Sequence, residues 1–386
     1  MKIVHVSLAS PFNLEMSYQE NQFIENHVKN KIDVTLITTC YKFLDNDLIK
    51  VPEEKTQINK YFKLIRLRYR FAFLDFISSK LRMVKDLKQI LEEENPDMIY
   101  HHSLQTFEMI TISRYCRING IPFIVDSHQD IHNSARNFLS RFVLHKIYYK
   151  FLIKLVYKYI SKIYYVSVES RDFLVNTYNL STEKMEFLPL GGDPVGEELY
   201  SKIRDKIRRE LNISDKLVFT HSGKFDEKKR TLEIIESFSR IKDDDFVLII
   251  SGVFEKRILK DAQSMIIKDN RIKFLDWKSS GELKEILMAS DVYLQPGSQS
   301  ATMQVAVCLR TALALYPYVN YKNLFTEDEI WFVKTKNDLY ELFQKISNEK
   351  KLVFDLRKKS YQKALNILDN SMITNKFTSL LKEEPI

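Results

Sequence analysis

The chain is poor in cysteine, in glycine and in long apolar runs. Its cysteines, Cys40, Cys116 and Cys308, stand far apart, which argues against a disulfide framework or a zinc site and suits a reducing cytoplasm. No uninterrupted stretch of roughly 18 apolar residues occurs, so no membrane-spanning helix is expected. No secretory leader is expected, because Met1-Lys2-Ile3-Val4 already reads as a strand and polar residues follow soon after. No Asp-x-Asp pair and no His/Cys ligand cluster stands out, so neither a metal nor another cofactor is expected. No recognised nucleic-acid module appears, and no visible motif gathers the positive charge on one face, so nucleic acid is not an expected partner. The 8 glycines, set against abundant Lys, Ile and Asn, reflect a base-composition bias rather than function.

What is present suffices for a large protein. A length of 386 residues favours two or more domains, and 45% apolar content can fill sizeable cores. Strand-like runs alternate with helical stretches. Lys2 to Ser7, Asp33 to Thr38, Met98 to His101, Pro122 to Asp126 and Lys162 to Ser167 read as strands. Gln19 to Lys31, Lys80 to Glu94 and Phe107 to Asn119 read as helices between them. Such alternation argues for a parallel sheet covered on both faces. Pro189-Leu190-Gly191-Gly192-Asp193-Pro194 reads as a linker. Beyond it the pattern repeats, with a helix over Glu197 to Glu210 and strands near Leu217, Phe246, Ile272, Val292 and Thr311. The expected division is 1–190, 191–370 and a final helical segment, 371–386.

The most informative segment is His221-Ser222-Gly223-Lys224-Phe225-Asp226-Glu227-Lys228-Lys229. An apolar strand precedes it, Gly223 is expected to end that strand, and Leu232, Ile235 and Phe238 mark a helix after it. Two ammonium groups, Lys224 and Lys229, then stand at a strand end beside a helix start, which suits a diphosphate; a solvated Lys-rich turn is the plainer alternative. Downstream, a strand ending at Gln295 leads into Pro296-Gly297-Ser298-Gln299-Ser300 and a mostly apolar helix. That segment reads equally as a capped helix or as a second anion cradle.

The +8 formal charge has one candidate outlet. Across residues 141–162, Lys146, Lys150, Lys154, Lys158 and Lys162 recur every four residues, with aliphatic and Tyr side chains between them. A basic amphipathic helix of this kind suits an anionic bilayer surface, and equally an ordinary domain surface with one buried face. Lys60 to Arg70 has similar chemistry and also reads as an edge strand.

Taken together, these segments resemble a GT-B glycosyltransferase, close to the retaining, nucleotide-sugar-dependent family 4-like enzymes that build bacterial surface glycans. The resemblance runs through Met1-Lys2-Ile3-Val4-His5-Val6, Tyr18-Gln19-Glu20-Asn21, Asn95-Pro96-Asp97-Met98-Ile99-Tyr100-His101-His102, Asp126-Ser127-His128-Gln129-Asp130, Gly223-Lys224 with Lys229, Ile272-Lys273-Phe274-Leu275-Asp276-Trp277, and Asp291 to Gln304. It implies an α/β fold of two Rossmann-like domains facing an interdomain cleft, with the last helix, Ser371 to Leu381, crossing back to the first. It implies Lys224 and Lys229 as the cations that meet the diphosphate. Gly223, Trp277, Ser298, Gln299, Ser300 and Gln304 are the other donor-binding positions it implies. His102 and His128 match histidines at first-domain strand ends, while His101 reads as a plain core or surface histidine. Glu20, Asp130, Asn133 and Arg136 are the implied acceptor contacts.

The chain also departs from that family. Leu8-Ala9-Ser10-Pro11-Phe12-Asn13 carries no glycine where a Gly-rich loop is usual, and Ser300 and Gln304 stand where a pair of glutamates is usual. The expected activity is hexosyl or N-acetylhexosaminyl transfer from a UDP- or GDP-sugar to a saccharide or lipid-linked acceptor of a capsule, O-antigen or exopolysaccharide. The protein is expected in the cytoplasm, with the inner-leaflet membrane surface as a further partner. Two rivals remain: a nucleotide-sugar epimerase of the same fold, and a non-catalytic membrane-associated scaffold for glycan assembly.

Overall fold

The computed structural model describes residues 1–14, 16, 18–44, 47–71, 75–129 and 140–381. The chain divides into two compact units, Met1–Pro189 with Ile373–Ile386, and Leu190–Met372.

The first unit carries strands β1 (Lys2–Ser7), β2 (Asp33–Thr39), β3 (Tyr41–Leu44), β4 (Asp47–Lys50), β5 (Glu54–Asn59), β6 (Phe62–Leu67), β7 (Met98–His102), β8 (Phe123–Ser127), β9 (Lys162–Tyr165) and β10 (Met185–Phe187). Its main sheet runs β10-β9-β8-β7-β1-β2-β6-β5, and β3 and β4 pair apart from it. Neighbours in the main sheet are parallel except for β5 against β6. Strands β7 and β8 are buried at every residue, which is why both read as unbroken runs rather than alternating ones. Helices α1 (Gln19–Lys29), α2 (Asp75–Leu81), α3 (Leu87–Glu94), α4 (Met109–Asn119), α5 (Lys150–Val156) and α6 (Val168–Tyr178) belong to this unit.

Three expectations change here. Lys80 to Glu94 is not one helix: Arg82 and Asp86 take left-handed backbone, at φ 55° and 59°, and Val84 bridges to Tyr69 between them. Lys60 to Arg70 contains β6, which lies inside the sheet between β2 and β5. Four of its basic side chains are paired within the unit, Lys63 with Glu94, Arg66 with Glu54, Arg68 with Glu53 and Arg70 with Glu108. The basic stretch is a composite: Ser140–Tyr149 winds as a π-helix, α5 continues it, and a 3₁₀ turn over Tyr157–Tyr159 ends it. Lys162 already lies in β9, where it pairs with Glu186 at 2.9 Å.

The second unit carries β11 (Leu217–Phe225), β12 (Phe246–Phe254), β13 (Ile272–Leu275), β14 (Val292–Gln295), β15 (Ala312–Leu315) and β16 (Trp331–Phe332), in the order β13-β12-β11-β14-β15-β16 with parallel neighbours. Helices α7 (Glu197–Glu210), α8 (Thr231–Ser239), α9 (Lys256–Ile267), α10 (Ser280–Ala289), α11 (Thr302–Cys308), α12 (Val319–Leu324), α13 (Lys336–Asn348) and α14 (Lys351–Ile367) follow the same chain order. Phe219, Phe238, Phe246 and Phe343 meet edge-on or tilted in its core. At the amino end of β14, the buried Asp291 carboxylate accepts from the Val218 N–H and from Arg204, Arg208 and Arg357. Helix α15 (Asn370–Ser379) runs past residue 372, and its Ile373 and Phe377 pack in the core of the first unit.

Candidate functional site

In the second unit, the carboxyl ends of β11 and β14 lie side by side. Gly223 does not end β11. The strand runs on to Phe225, with Gly223 at φ +136° facing Gly252 at φ +151° in the β12 register. A Cβ on Gly252 would sit 1.9 Å from the Gly223 carbonyl oxygen, so this pair of close strands demands glycine there. The continued strand carries Lys224 to the tip, where its ammonium lies 5.8 Å from the exposed Trp277 ring. Asp226 then caps a short turn by accepting from the Lys229 N–H at 3.0 Å. That turn folds the half-buried Lys229 side chain back over Gly223. Burial pushes the Lys229 ammonium below the ordinary lysine value, against the pull of Asp226. Among the described residues, neither Lys224 nor Lys229 forms an ion pair.

The loop after β14 is clamped onto this turn. A Cβ on Gly297 would meet the Lys228 carbonyl oxygen at 2.1 Å, and Ser298 N–H donates to that same oxygen at 2.9 Å. Arg230 secures the clamp from behind through the Pro296 and Lys334 carbonyls. The expected cradle of free N–H groups is therefore partly spent: Ser298 bonds Lys228, and Ser300 N–H donates to the Tyr321 hydroxyl at 3.2 Å. Gln299 accepts from Asn320 at 3.3 Å. Gln304 is buried on α11, and its side-chain oxygen has no hydrogen-bond partner among the described residues. Beneath the loops, His221 links the Leu294 carbonyl (2.7 Å) to the Thr231 hydroxyl (3.1 Å), and burial lowers it to about 4.

In the first unit, the carboxyl ends of β7 and β8 gather histidines around Asp126. The Asp126 carboxylate is fully buried and accepts from His102 Nδ1 at 2.7 Å, with His128 Nε2 at 3.7 Å. Burial opposes its charge, but His102 and His128 hold it well below the usual carboxylate range. His128 is 35% exposed at its side chain; burial works against a charge on its ring, and Asp126 outweighs that and raises it. His102 is buried, and its Nε2 meets His5 Nδ1 at 3.0 Å. Both its nitrogens are thus engaged within the unit, so His128 is the ring that presents an edge to solvent. His101 is a core histidine, bonded to the Val6 carbonyl at 2.7 Å and the Thr106 hydroxyl at 2.6 Å and pushed down to about 4 by burial. Glu20 lies in the first turn of α1, close enough to raise His128 further. Asp130, Asn133 and Arg136 lie outside the described residues.

His5 and His27 were absent from the sequence-derived candidates. His5 interrupts the apolar run of β1, and His27 sits in the last turn of α1. A polar residue inside a strand that reads as fully buried was the available signal.

Comparison with known proteins agrees with this architecture. Residues 22–195 match the model of Glycosyltransferase Family 4, and residues 203–362 match that of Glycosyl transferases group 1. No curated protein matches the chain. Among solved structures, HepE from Anabaena in complex with UDP is similar over 99% of this chain and 100% of that one, at 13% identity and a TM-score of 0.68. Sucrose-phosphate synthase from Thermosynechococcus elongatus is similar over 99% and 98%, at 14% identity and 0.67. WaaG, a glycosyltransferase involved in lipopolysaccharide biosynthesis, is similar over 98% and 99%, at 13% identity and 0.62. Two Rossmann-like units that match these models define a glycosyltransferase of the GT-B fold. Within that class, the chain belongs with the family 4-like enzymes.

Proposed function

We propose that this glycosyltransferase takes a sugar from a nucleoside diphosphate sugar, UDP- before GDP-, and passes it to a saccharide or lipid-linked saccharide in bacterial surface-polysaccharide synthesis. The observation that carries the donor reading is the pair Lys224, in β11, and Lys229, in the turn after it, two ammonium groups with no carboxylate paired to them among the described residues. Departure of a nucleoside diphosphate concentrates negative charge, and fixed cations facing that charge lower the barrier without a metal ion. Gly223 leaves room for a phosphate beside the strand, and Trp277 offers a flat face next to Lys224. The uncharged Ser300 and Gln304 bond the sugar hydroxyls. His128, beside Asp126, is the proposed sugar-bonding imidazole, and Glu20, Asp130, Asn133 and Arg136 are the proposed acceptor contacts. UDP in the similar HepE structure supports the choice of base.

The membrane-surface reading rests on a second observation. Val143, Ile147, Phe151 and Leu155 are each half or more exposed, at 50%, 62%, 65% and 50%. They recur every four residues on the composite helix, and Lys146, Lys150 and Lys154 directly precede Ile147, Phe151 and Leu155. An apolar stripe flanked by ammonium groups suits the boundary of an anionic bilayer. No described helix is long and apolar enough to cross a membrane.

The donor reading is tested by thermal shift with UDP, GDP, CMP and ADP on wild type and Lys224→Ala. One nucleotide should raise the melting temperature of the wild type and lose that effect in the variant. No shift with any of them would favour a non-catalytic scaffold. The surface reading is tested by co-sedimentation with vesicles of phosphatidylglycerol or phosphatidylcholine. Binding to the anionic vesicles should be lost in Ile147→Glu/Phe151→Glu; equal binding by both proteins would refute it.

A further inference from the structure

One serine stands where the backbone asks for glycine. Ser103, the residue after β7, sits at φ 117°. The other non-glycine residues at positive φ, among those described, lie between 44° and 64°, the ordinary left-handed helical region. Ser103 instead keeps company with Gly223 at 136° and Gly252 at 151°, in a region where a side chain is costly. The corner it makes is tight: its N–H returns to the His101 carbonyl at 3.1 Å, with His102 at the centre of the turn. Strain of this kind persists where the surrounding contacts demand that side chain.

The contacts are those of the hydroxyl, on a side chain that is buried. A hydroxyl gives one hydrogen bond and takes two, and all three are used. Ser103 Oγ donates to Gln105 Oε1 at 2.8 Å, and it accepts from the Gln105 N–H at 3.1 Å and from Gln129 Nε2 at 3.3 Å. Arg82 Nη1 stands 3.4 Å away and donates more closely to the Gln105 carbonyl, at 2.7 Å. The bonds to Gln105 are local, of the kind serine makes in many turns. The bond to Gln129 is not local: it crosses from the corner after β7 to the segment that follows β8. There His128 lies between two held residues. Ser127 is buried in β8, in register with Tyr165 of β9, and Gln129 is held by Ser103. Since a hydroxyl both gives and takes, the tie survives either orientation of the Gln129 carboxamide.

We propose that Ser103 is a positioning residue: through Gln129 its hydroxyl ties the segment after β8 to the corner after β7, and so holds His128 beside the Asp126 carboxylate. The inference deepens the reading of His128 as the sugar-bonding imidazole and rests on it. His128 Nε2 stands 3.7 Å from the Asp126 oxygen, longer than a hydrogen bond. The place of the ring therefore depends on the segment that carries it as well as on the carboxylate. Glycine at position 103 would relieve the backbone but release Gln129. The charged groups that act on the His128 ring are Asp126 on β8 and Glu20 on α1, and His102 on β7 shares the Asp126 carboxylate. Asp126 raises the His128 ring, so a ring held less closely to it titrates at a lower pH.

The test follows the ring signals of His128 by NMR titration of the full chain, with His128→Gln assigning them. The variants leave Asp126, Glu20 and His102 in place. In Ser103→Ala the His128 midpoint should fall toward the ordinary histidine value of about 6.5, by up to about one unit, the lower end of the effect of one close charge. Gln129→Ala should lower it by the same amount, and the double variant by no more than either alone, since both remove one tie. Ser103→Gly should lower it as Ser103→Ala does while melting at a higher temperature, because glycine relieves the φ that alanine keeps. A midpoint unmoved in Ser103→Ala and Gln129→Ala, or effects that add in full in the double variant, overturn the proposal. A wild-type midpoint in Ser103→Gly also overturns it, since backbone shape alone would then suffice. Should Ser103→Ala fail to fold, Ser103→Gly and Gln129→Ala decide on the same criteria. The readout needs neither nucleotide nor acceptor, so failure of the transferase reading in the nucleotide thermal-shift assay remains separate from failure of this one.

Discussion

The two units place opposite chemistry on the same feature, the carboxyl end of a parallel sheet. In the second unit that end carries ammonium groups, hydroxyls and backbone held close by glycine. In the first it carries a buried carboxylate ringed by imidazoles. Both are built on a similar support, since His101 and His221 each tie their own strand to a neighbouring strand's carbonyl and to a threonine hydroxyl. The fold supplies the shelf, and a few side chains decide its use. A cationic shelf waits for a fixed negative charge, whereas an imidazole–carboxylate shelf responds to protons.

The sharpest way to break that contrast is to remove the cation. Lys229→Ala should lower kcat/KM by about 10²–10³-fold, the usual loss for one preorganised donor to a developing anion. Lys224→Ala, at a more exposed position, should lower it roughly tenfold; steady-state transfer assays measure both. Next comes Gly252→Ala, which sets a Cβ against the Gly223 carbonyl at a φ that disfavours alanine. It should cost on the order of 2–4 kcal/mol in chemical denaturation. The first unit should differ in its response to acid. His5, His27 and His101 there, against His221 in the second unit, are held neutral with lowered folded values. Their contribution to stability is complete above the unfolded value of 6.5 and is lost as pH falls toward about 4. Both tryptophans, Trp277 and Trp331, lie in the second unit. On acidification, far-UV circular dichroism should therefore change at a higher pH than tryptophan fluorescence does. The smallest effect tests symmetry: Ser167→Ala and Ser279→Ala each remove a capping box, from α6 and α10, and each should cost about 1 kcal/mol with transfer activity unchanged.

Many of the parallel strands were readable because buried parallel strands are rich in apolar residues, as in β12 and β14. Strand β5 was not, because its face is exposed and its residues, Glu54 to Asn59, are those of a loop. The break between α2 and α3 was hidden because left-handed Arg82 and Asp86 leave no glycine to mark it. The lysines of the second unit were readable as a local motif. The partners of His102 were not, since His5 and His27 reach it only through strand adjacency and a helix docking across the sheet. The extension of β11 past Gly223 escaped for the same reason, because its cause, Gly252, lies on another strand.

The bond from Ser298 to the Lys228 carbonyl, with Gly297 pressed against it, makes two segments some seventy residues apart into one mechanical part. Their mutational histories are then coupled as well. A change that shifts the lysine turn alters what the serine loop can tolerate, so the effects of paired substitutions should fail to add. Variation at these positions is selected as combinations, and a new donor preference would have to arise through both segments at once.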